Sequence, residues 1–313
     1  MGSATDSHAH PVAGGVPDHG PVTEPYLPRL ARRSAAARTV LCVGIDPTPE
    51  MLPPGWPAGL PGIERLARLI LEAAGPHAAA VKPNLAFFEA FGSAGLAALE
   101  RVLAAVPPGV LVVMDAKRGD VETTSARQAI ALFDALGADA VTVNPYLGLD
   151  ALGAFVERAG RFAYVLCRTS NPGAGELQDL AVAADPSLGA PPEPLHRRVA
   201  RRVAAAGLGG RAGLVVGATA PAEMAEIRAL VPGLAFLVPG LGAQGGDVAG
   251  VLAAGPATGA PAGAGAGGGL LVNVSRGIAG AAVRPGPDAD ATDPGERIAE
   301  AARRWAVTLP VLS

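Results

Sequence analysis

A single closed barrel of eight βα units, the (β/α)8 fold, is what this sequence predicts, on three observations. Eight short apolar, often β-branched runs recur after residue 26, and stretches with helical spacing separate them. The runs are apolar on both faces, as strands buried in a parallel sheet are. Polar side chains collect at one end of them: Asp46, Lys82, Asn84, Asp115, Lys117, Asn144, Arg168, Thr169, Thr219 and Arg276 all fall at C-terminal ends, where barrel enzymes build their active sites. Such a barrel typically needs roughly 250 residues, and residues 26–313 supply them as one α/β domain. An open doubly wound sheet is the alternative reading of the same alternation.

In chain order the predicted strands are 40–46, 78–84, 110–117, 140–146, 162–169, 213–219, 234–241 and 270–276. Helical spacing places helices over Ile63–Ala74, Leu85–Val106, Ser125–Leu136, Leu149–Ala159, Leu195–Ala206, Ala222–Val231 and Asp247–Ala253, with a last one over 294–306. Residues 1–25 are polar, aperiodic and rich in Gly and Pro, which predicts a disordered tail. The run AAGPATGAPAGAGAGGG at 253–269 carries no charge and no periodicity. It reads as a flexible Gly/Ala/Pro insertion before the eighth strand.

Composition narrows the function. Half the residues are hydrophobic, enough for a sizeable core, and the formal charge of −3 argues against a nucleic-acid partner. Seven Phe, two Trp and three Tyr are few for a protein that stacks bases. Two cysteines, Cys42 and Cys167, make neither a disulfide framework nor a zinc cluster and read as buried free thiols. No stretch approaches the roughly 20 apolar residues of a membrane span, and the first 25 lack a signal-peptide core. A cytoplasmic location with no membrane partner is expected. His8, His10 and His19 lie in the tail, while His77 and His196 sit far from any motif. Acid–base chemistry therefore falls to carboxylates and lysines.

The most informative run is Met114-Asp115-Ala116-Lys117-Arg118-Gly119-Asp120, at the end of the third strand. Strand side chains alternate, so Asp115 and Lys117 are expected to face one side, the barrel interior. If Lys82 from the second strand joins them, two carboxylates and two ammonium groups form an alternating array at the barrel mouth. Each opposite pair at ~4 Å is worth roughly 4 kcal/mol at an effective dielectric of about 20. A structural ion-pair network is the bland reading. The lysine count weighs against it: of 25 basic residues only Lys82 and Lys117 are lysine, and both sit at strand ends, where a compact ammonium is chemically distinct from a guanidinium.

Two further runs concern binding. Val238-Pro239-Gly240-Leu241-Gly242-Ala243-Gln244-Gly245-Gly246-Asp247 follows the seventh strand, and Asn273-Val274-Ser275-Arg276-Gly277 ends the eighth. Loops there are the usual phosphate site of these barrels; glycines let backbone N–H groups approach an anion, and an arginine grips phosphate bidentately. Cys167-Arg168-Thr169-Ser170-Asn171-Pro172-Gly173 after the fifth strand reads equally as a polar turn or a binding loop.

These motifs together resemble the orotidine 5′-phosphate decarboxylase family, in the bacterial subfamily that carries D-A-K-R-G-D. The resemblance runs over about residues 26–310, through V-G-I-D-P (43–47), V-K-P-N (81–84), M-D-A-K-R-G-D (114–120), T-S-N-P-G (169–173), V-P-G-L-G-A-Q-G-G-D (238–247) and S-R-G (275–277). It implies cofactor-free decarboxylation of orotidine 5′-phosphate to UMP and CO2, the last step of de novo pyrimidine nucleotide synthesis, with no metal. It implies that Asp46 and Lys82 hold the ribose, that Asp115 lies beside the substrate carboxylate and that Lys117 is the general acid at C6. Ser170 is implied to read the pyrimidine edge, Gln244 to span base and phosphate as a lid, and Ser275, Arg276 and Gly277 to hold the phosphate. Asp120, Val121 and Thr124 are implied to reach a neighbouring subunit's site, which makes the protein a homodimer with shared sites. The resemblance assigns no role to Asn84 or Asn144, and an insertion at 253–269 is unexpected so near the phosphate site. The rival within the same barrel group is a Mg2+-dependent phosphosugar synthase or decarboxylase. That chemistry uses an acidic residue where this chain has Lys82.

Overall fold

Eight parallel strands close into a barrel in a computed structural model that describes residues 22–208, 210–241, 246–283 and 293–312. They are β1 (Leu41–Ile45), β2 (Ala80–Pro83), β3 (Leu111–Arg118), β4 (Ala140–Val143), β5 (Phe162–Arg168), β6 (Ala212–Val216), β7 (Phe236–Val238) and β8 (Leu271–Val274). Each falls within or beside a predicted apolar run. The barrel shuts where Val43 of β1 pairs with Val81 of β2 on one side and Val274 of β8 on the other.

The longer helices among the described residues are α1 (Tyr26–Ala37), α2 (Leu60–Ala74), α3 (Gly92–Leu103), α4 (Glu122–Ala129, running on as a π turn over Ile130–Ala135), α5 (Leu195–Ala205), α6 (Pro221–Leu230), α7 (Val248–Ala254) and α8 (Pro294–Thr308). The outer ones lay an apolar stripe on the strands; α2 buries Ile63, Leu66, Ala67, Ile70, Leu71 and Ala74, the i, i+3, i+4 pattern of its sequence. The predicted helix Leu85–Val106 is two, Ala86–Glu89 and α3, because the backbone leaves helical geometry at Phe91 (ψ 14°). No helix among the described residues is long and apolar enough to cross a membrane.

A second core fills the barrel itself. Cys42, Leu111, Val113, Tyr164, Leu237 and Leu271 meet there, and α1 plugs the N-terminal end with Tyr26, Leu27 and Leu30. The Tyr26 ring stacks on Phe162 with centroids 4.7 Å apart, and its hydroxyl lies 3.3 Å from that of Tyr164. This helix was not among the sequence expectations. Burial pushes the Cys42 thiol up to about 12, so it serves as a small core side chain.

Residues 253–269 correct an expectation. Expected beside the loops that follow the seventh and eighth strands, they pack at the opposite end of the barrel, against α1. Thr258 and Gly259 both donate their N–H to the Pro232 carbonyl at 3.0 Å, ahead of β7, and Ala257 bonds Gly268 at 2.9 Å. Ala257, Ala262 and Gly267–Gly269 are buried beside α1. Gly267, Gly268 and Gly269 have φ of 75°, 53° and 64°, left-handed values that glycine adopts without penalty. A Cβ on Gly268 would stand 2.7 Å from the Ala257 nitrogen. The glycines are there for close approach, which leaves no charge or periodic pattern to read. Of the predicted tail, residues 1–21 lie outside the described residues, and Glu24 pairs with Arg32 at 2.6 Å.

Candidate active site

β3 reaches past its neighbours, and its last turn departs from regular pairing. Met114 pairs with Val141 and Arg118 with Val143 on β4, so Asp115, Ala116 and Lys117 together face Thr142 alone. Lys117 takes up the excess with φ 46°, a left-handed conformation that costs a non-glycine residue roughly 1–3 kcal/mol and clusters at functional sites. The simple alternation expected for Asp115 and Lys117 is therefore broken. The Asp115 side chain is 11% exposed, whereas that of Lys117 is 52% exposed and reaches back from the rim.

Both lysines converge on Asp115. Lys82 Nζ donates to Oδ2 at 2.6 Å, and Lys117 Nζ donates to Oδ1 at 2.6 Å. Burial alone would raise the Asp115 pKa, but Lys82 and Lys117 hold it well below the usual carboxylate range. Burial likewise works against a charged Lys82, yet Asp115 and Asp46 keep its pKa above the ordinary lysine value. Both groups stay ionised at neutral pH. Among the described residues neither lysine forms an ion pair with Asp120, whose Oδ1 accepts from the Val121 N–H at 2.7 Å. The ion-paired part of the expected array is thus Lys82–Asp115–Lys117, without Asp120.

One cleft at the C-terminal mouth gathers Asp46, Lys82, Asp115, Ser170, Ser275 and Arg276, with Pro239, Gly240, Leu241 and Asn273 completing its wall. Its volume is about 180 Å³, less than the roughly 710 Å³ depression around Trp56 and Arg65 or the 650 Å³ one beneath the barrel, neither of which contains a strand-end lysine. Asp46 Oδ1, Asn273 Oδ1 and Ser275 Oγ are buried with no hydrogen-bond partner among the described residues. All three residues line this one cleft. Arg276 is exposed at the rim, and Gly277 follows it in a short turn.

The Ser170 loop is held by Gln178 from a long excursion between β5 and α5. Gln178 Oε1 accepts from the Thr169 N–H at 2.9 Å, and its Nε2 donates to Thr169 Oγ1 at 2.8 Å. Thr169 Oγ1 in turn donates to Asn171 at 2.6 Å. Gly217 on the neighbouring strand end makes room: a Cβ there would lie 2.9 Å from Ser170 Cβ.

Val121, just ahead of α4, is exposed, and Thr124 in the first turn of that helix is half-buried. Gln244 lies outside the described residues. Sequence reasoning missed Thr142 and Gln178, and it named Asn273 only as part of the run that ends the eighth strand. Alternation from Ala140 points Thr142 inward and could have found it, whereas nothing local to Gln178 ties it to Thr169. No three His, Cys, Asp or Glu among the described residues gather as a metal site.

A carboxylate bracketed by two ammonium groups, in a barrel-mouth cleft that ends in an arginine after the last strand, defines a barrel enzyme for an anionic, phosphorylated substrate. The chain belongs to the orotidine 5′-phosphate decarboxylase / HUMPS family, whose model matches residues 39–291. It is 41% identical over 254 residues to the orotidine 5′-phosphate decarboxylase of Herpetosiphon aurantiacus, covering 81% of this chain and 88% of that one. The Thermomicrobium roseum enzyme of the same name is 45% identical over 256 residues, 81% of this chain and 86% of the relative. The solved structure of Leishmania donovani OMP decarboxylase superposes with a TM-score of 0.72 at 36% identity, covering 91% of this chain and 96% of that one.

Proposed function

We infer that this chain converts orotidine 5′-phosphate to UMP and CO2 without a cofactor. The observation that carries the reading is Asp115 held between Lys82 and Lys117 in contact with a cleft that also contains Ser170 and Arg276. The C6–carboxylate bond breaks, the electron pair stays on C6, and Lys117 Nζ delivers the proton that quenches it. The charge at C6 has no adjacent π-system to spread into, so the enzyme must supply something near the upper end of the roughly 8–23 kcal/mol by which enzymes lower barriers. A preorganised ammonium gives both electrostatic stabilisation and the proton. Asp115 disfavours the neighbouring substrate carboxylate in the ground state.

Asp46 and Lys82 hold the ribose, Ser170 reads the base edge, and Ser275, Arg276 and Gly277 bind the phosphate. Gln244 is assigned to the base and phosphate, and phosphate binding remote from C6 supplies energy for the chemistry there. The active unit is a cytoplasmic homodimer in which Asp120, Val121 and Thr124 complete the partner's site. Exposed apolar side chains on the loops after β3 and β4 support that surface: Val121 is 59%, Tyr146 80% and Leu147 50% exposed.

A Mg2+-dependent phosphosugar reaction fits the donor set poorly, since an ammonium on each oxygen of Asp115 repels a divalent cation. Incubation with orotidine 5′-phosphate, with and without a chelator, tests the reading. The expected result is UMP and CO2 at equal rates in both samples. UMP binding without turnover, or activity abolished by chelation, would overturn it.

A further inference from the structure

We infer that Thr142 is a positioning residue for the decarboxylation, the side chain that holds Lys117 and Asp115 in register with the bound nucleotide; the inference rests on the function proposed above. Thr142 is buried on β4. Its Oγ1 accepts from the Ala116 N–H at 3.1 Å and from the Lys117 N–H at 3.0 Å, and donates to Asp115 Oδ1 at 3.0 Å. A threonine hydroxyl has one proton and two lone pairs. All three are engaged, and all three by the Asp115-Ala116-Lys117 segment.

That saturation fixes the hydroxyl. With both lone pairs receiving N–H groups, its proton points at Asp115, so Oδ1 accepts from Thr142 and Lys117 while Oδ2 accepts from Lys82. The same oxygen holds the two consecutive bulge N–H groups at the point where the ladder between β3 and β4 is interrupted. The left-handed Lys117 backbone is tied down through its own N–H. Without the hydroxyl, two backbone donors lose their partner, Asp115 Oδ1 loses one donor, and the bulge relaxes toward regular alternation. The Lys117 ammonium then starts from a different backbone position.

The ribose, base and phosphate contacts proposed above come from other elements, so a displaced Lys117 should lower turnover and leave binding nearly intact. Misplacement of a reacting group by ~1 Å lowers rates on the order of 100-fold, and Thr142→Val, which keeps the shape and removes the hydroxyl, is expected to reduce kcat by about that factor with KM changed by less than about threefold. Thr142→Ser keeps the hydroxyl and should recover kcat to within roughly tenfold of the parent. Thr142→Cys, with a weaker donor and acceptor, should fall below Ser; this pair carries the test if the valine variant does not fold. A kcat for Thr142→Val within twofold of the parent, or serine and cysteine variants equally impaired, would overturn the inference. A parent enzyme that does not decarboxylate orotidine 5′-phosphate would instead overturn the proposed function.

Discussion

The ammonium of Lys82 lies 2.6 Å from Asp115 Oδ2, with only 4% and 11% of the two side chains exposed. Such a pair is stable as a pair and costly to break, because removing one charge leaves the other buried and uncompensated.

Asp115→Asn is therefore expected to destabilise the fold by about 3–5 kcal/mol, measured by denaturant unfolding at neutral pH. The pH dependence follows from the signs of the two shifts. Asp115 is held below its ordinary value, so its contribution is present above pH ~3.9 and is lost as pH falls from there toward its folded value. Lys82 is held above its ordinary value, so its contribution is present below pH ~10.4 and is lost as pH rises beyond that. The parent should lose stability below pH ~4 more steeply than Asp115→Asn. Equal acid slopes for the two proteins would contradict the pairing.

Gly217 has a role that a change of one side chain can expose. A Cβ at this position would sit 2.9 Å from Ser170 Cβ and 3.0 Å from the Ser170 nitrogen, so Gly217→Val must push away the Ser170 loop, which the proposed function assigns to the base. With recognition of the base lost, KM for orotidine 5′-phosphate is expected to rise by about tenfold or more, the scale of one lost polar contact. An unchanged KM in steady-state assays would remove Ser170 from base recognition.

Arg228 offers a control remote from the chemistry. Its guanidinium donates to the carbonyls of Val231 at 3.0 Å, Leu234 at 2.8 Å and Gly255 at 2.6 Å, and it stacks 3.6 Å over Phe236. It ties the entry of β7 to the end of α7. Lysine cannot reach three divergent acceptors in one plane, so Arg228→Lys should cost about 2–4 kcal/mol of stability, with kcat of the folded enzyme unchanged. A denaturation midpoint equal to that of the parent would contradict this.

The barrel was legible in the sequence because buried parallel strands announce themselves as apolar runs, and each of the eight runs holds or adjoins a strand. The site was legible in part for a similarly local reason: Asp46, Lys82, Asp115, Ser170, Ser275 and Arg276 are strand-end residues, and barrel closure brings strand ends together. What escaped depends on geometry that alternation does not encode. The bulge at Lys117 arises from pairing between β3 and β4, Gln178 acts on Thr169 across a loop excursion, and the glycines at 267–269 pack through backbone alone. Helix α1 carries only three large apolar side chains, Tyr26, Leu27 and Leu30, beside three arginines, and its purpose shows only once Tyr26 is seen against Phe162.

The central claim is that Lys117 Nζ, held by Asp115 Oδ1, is the proton donor at C6. The most direct measurement pairs single-turnover decarboxylation with UMP affinity for Lys117→Ala. Turnover is expected to fall by roughly a thousandfold or more while the dissociation constant for UMP changes by less than about tenfold. Turnover within tenfold of the parent would contradict the account.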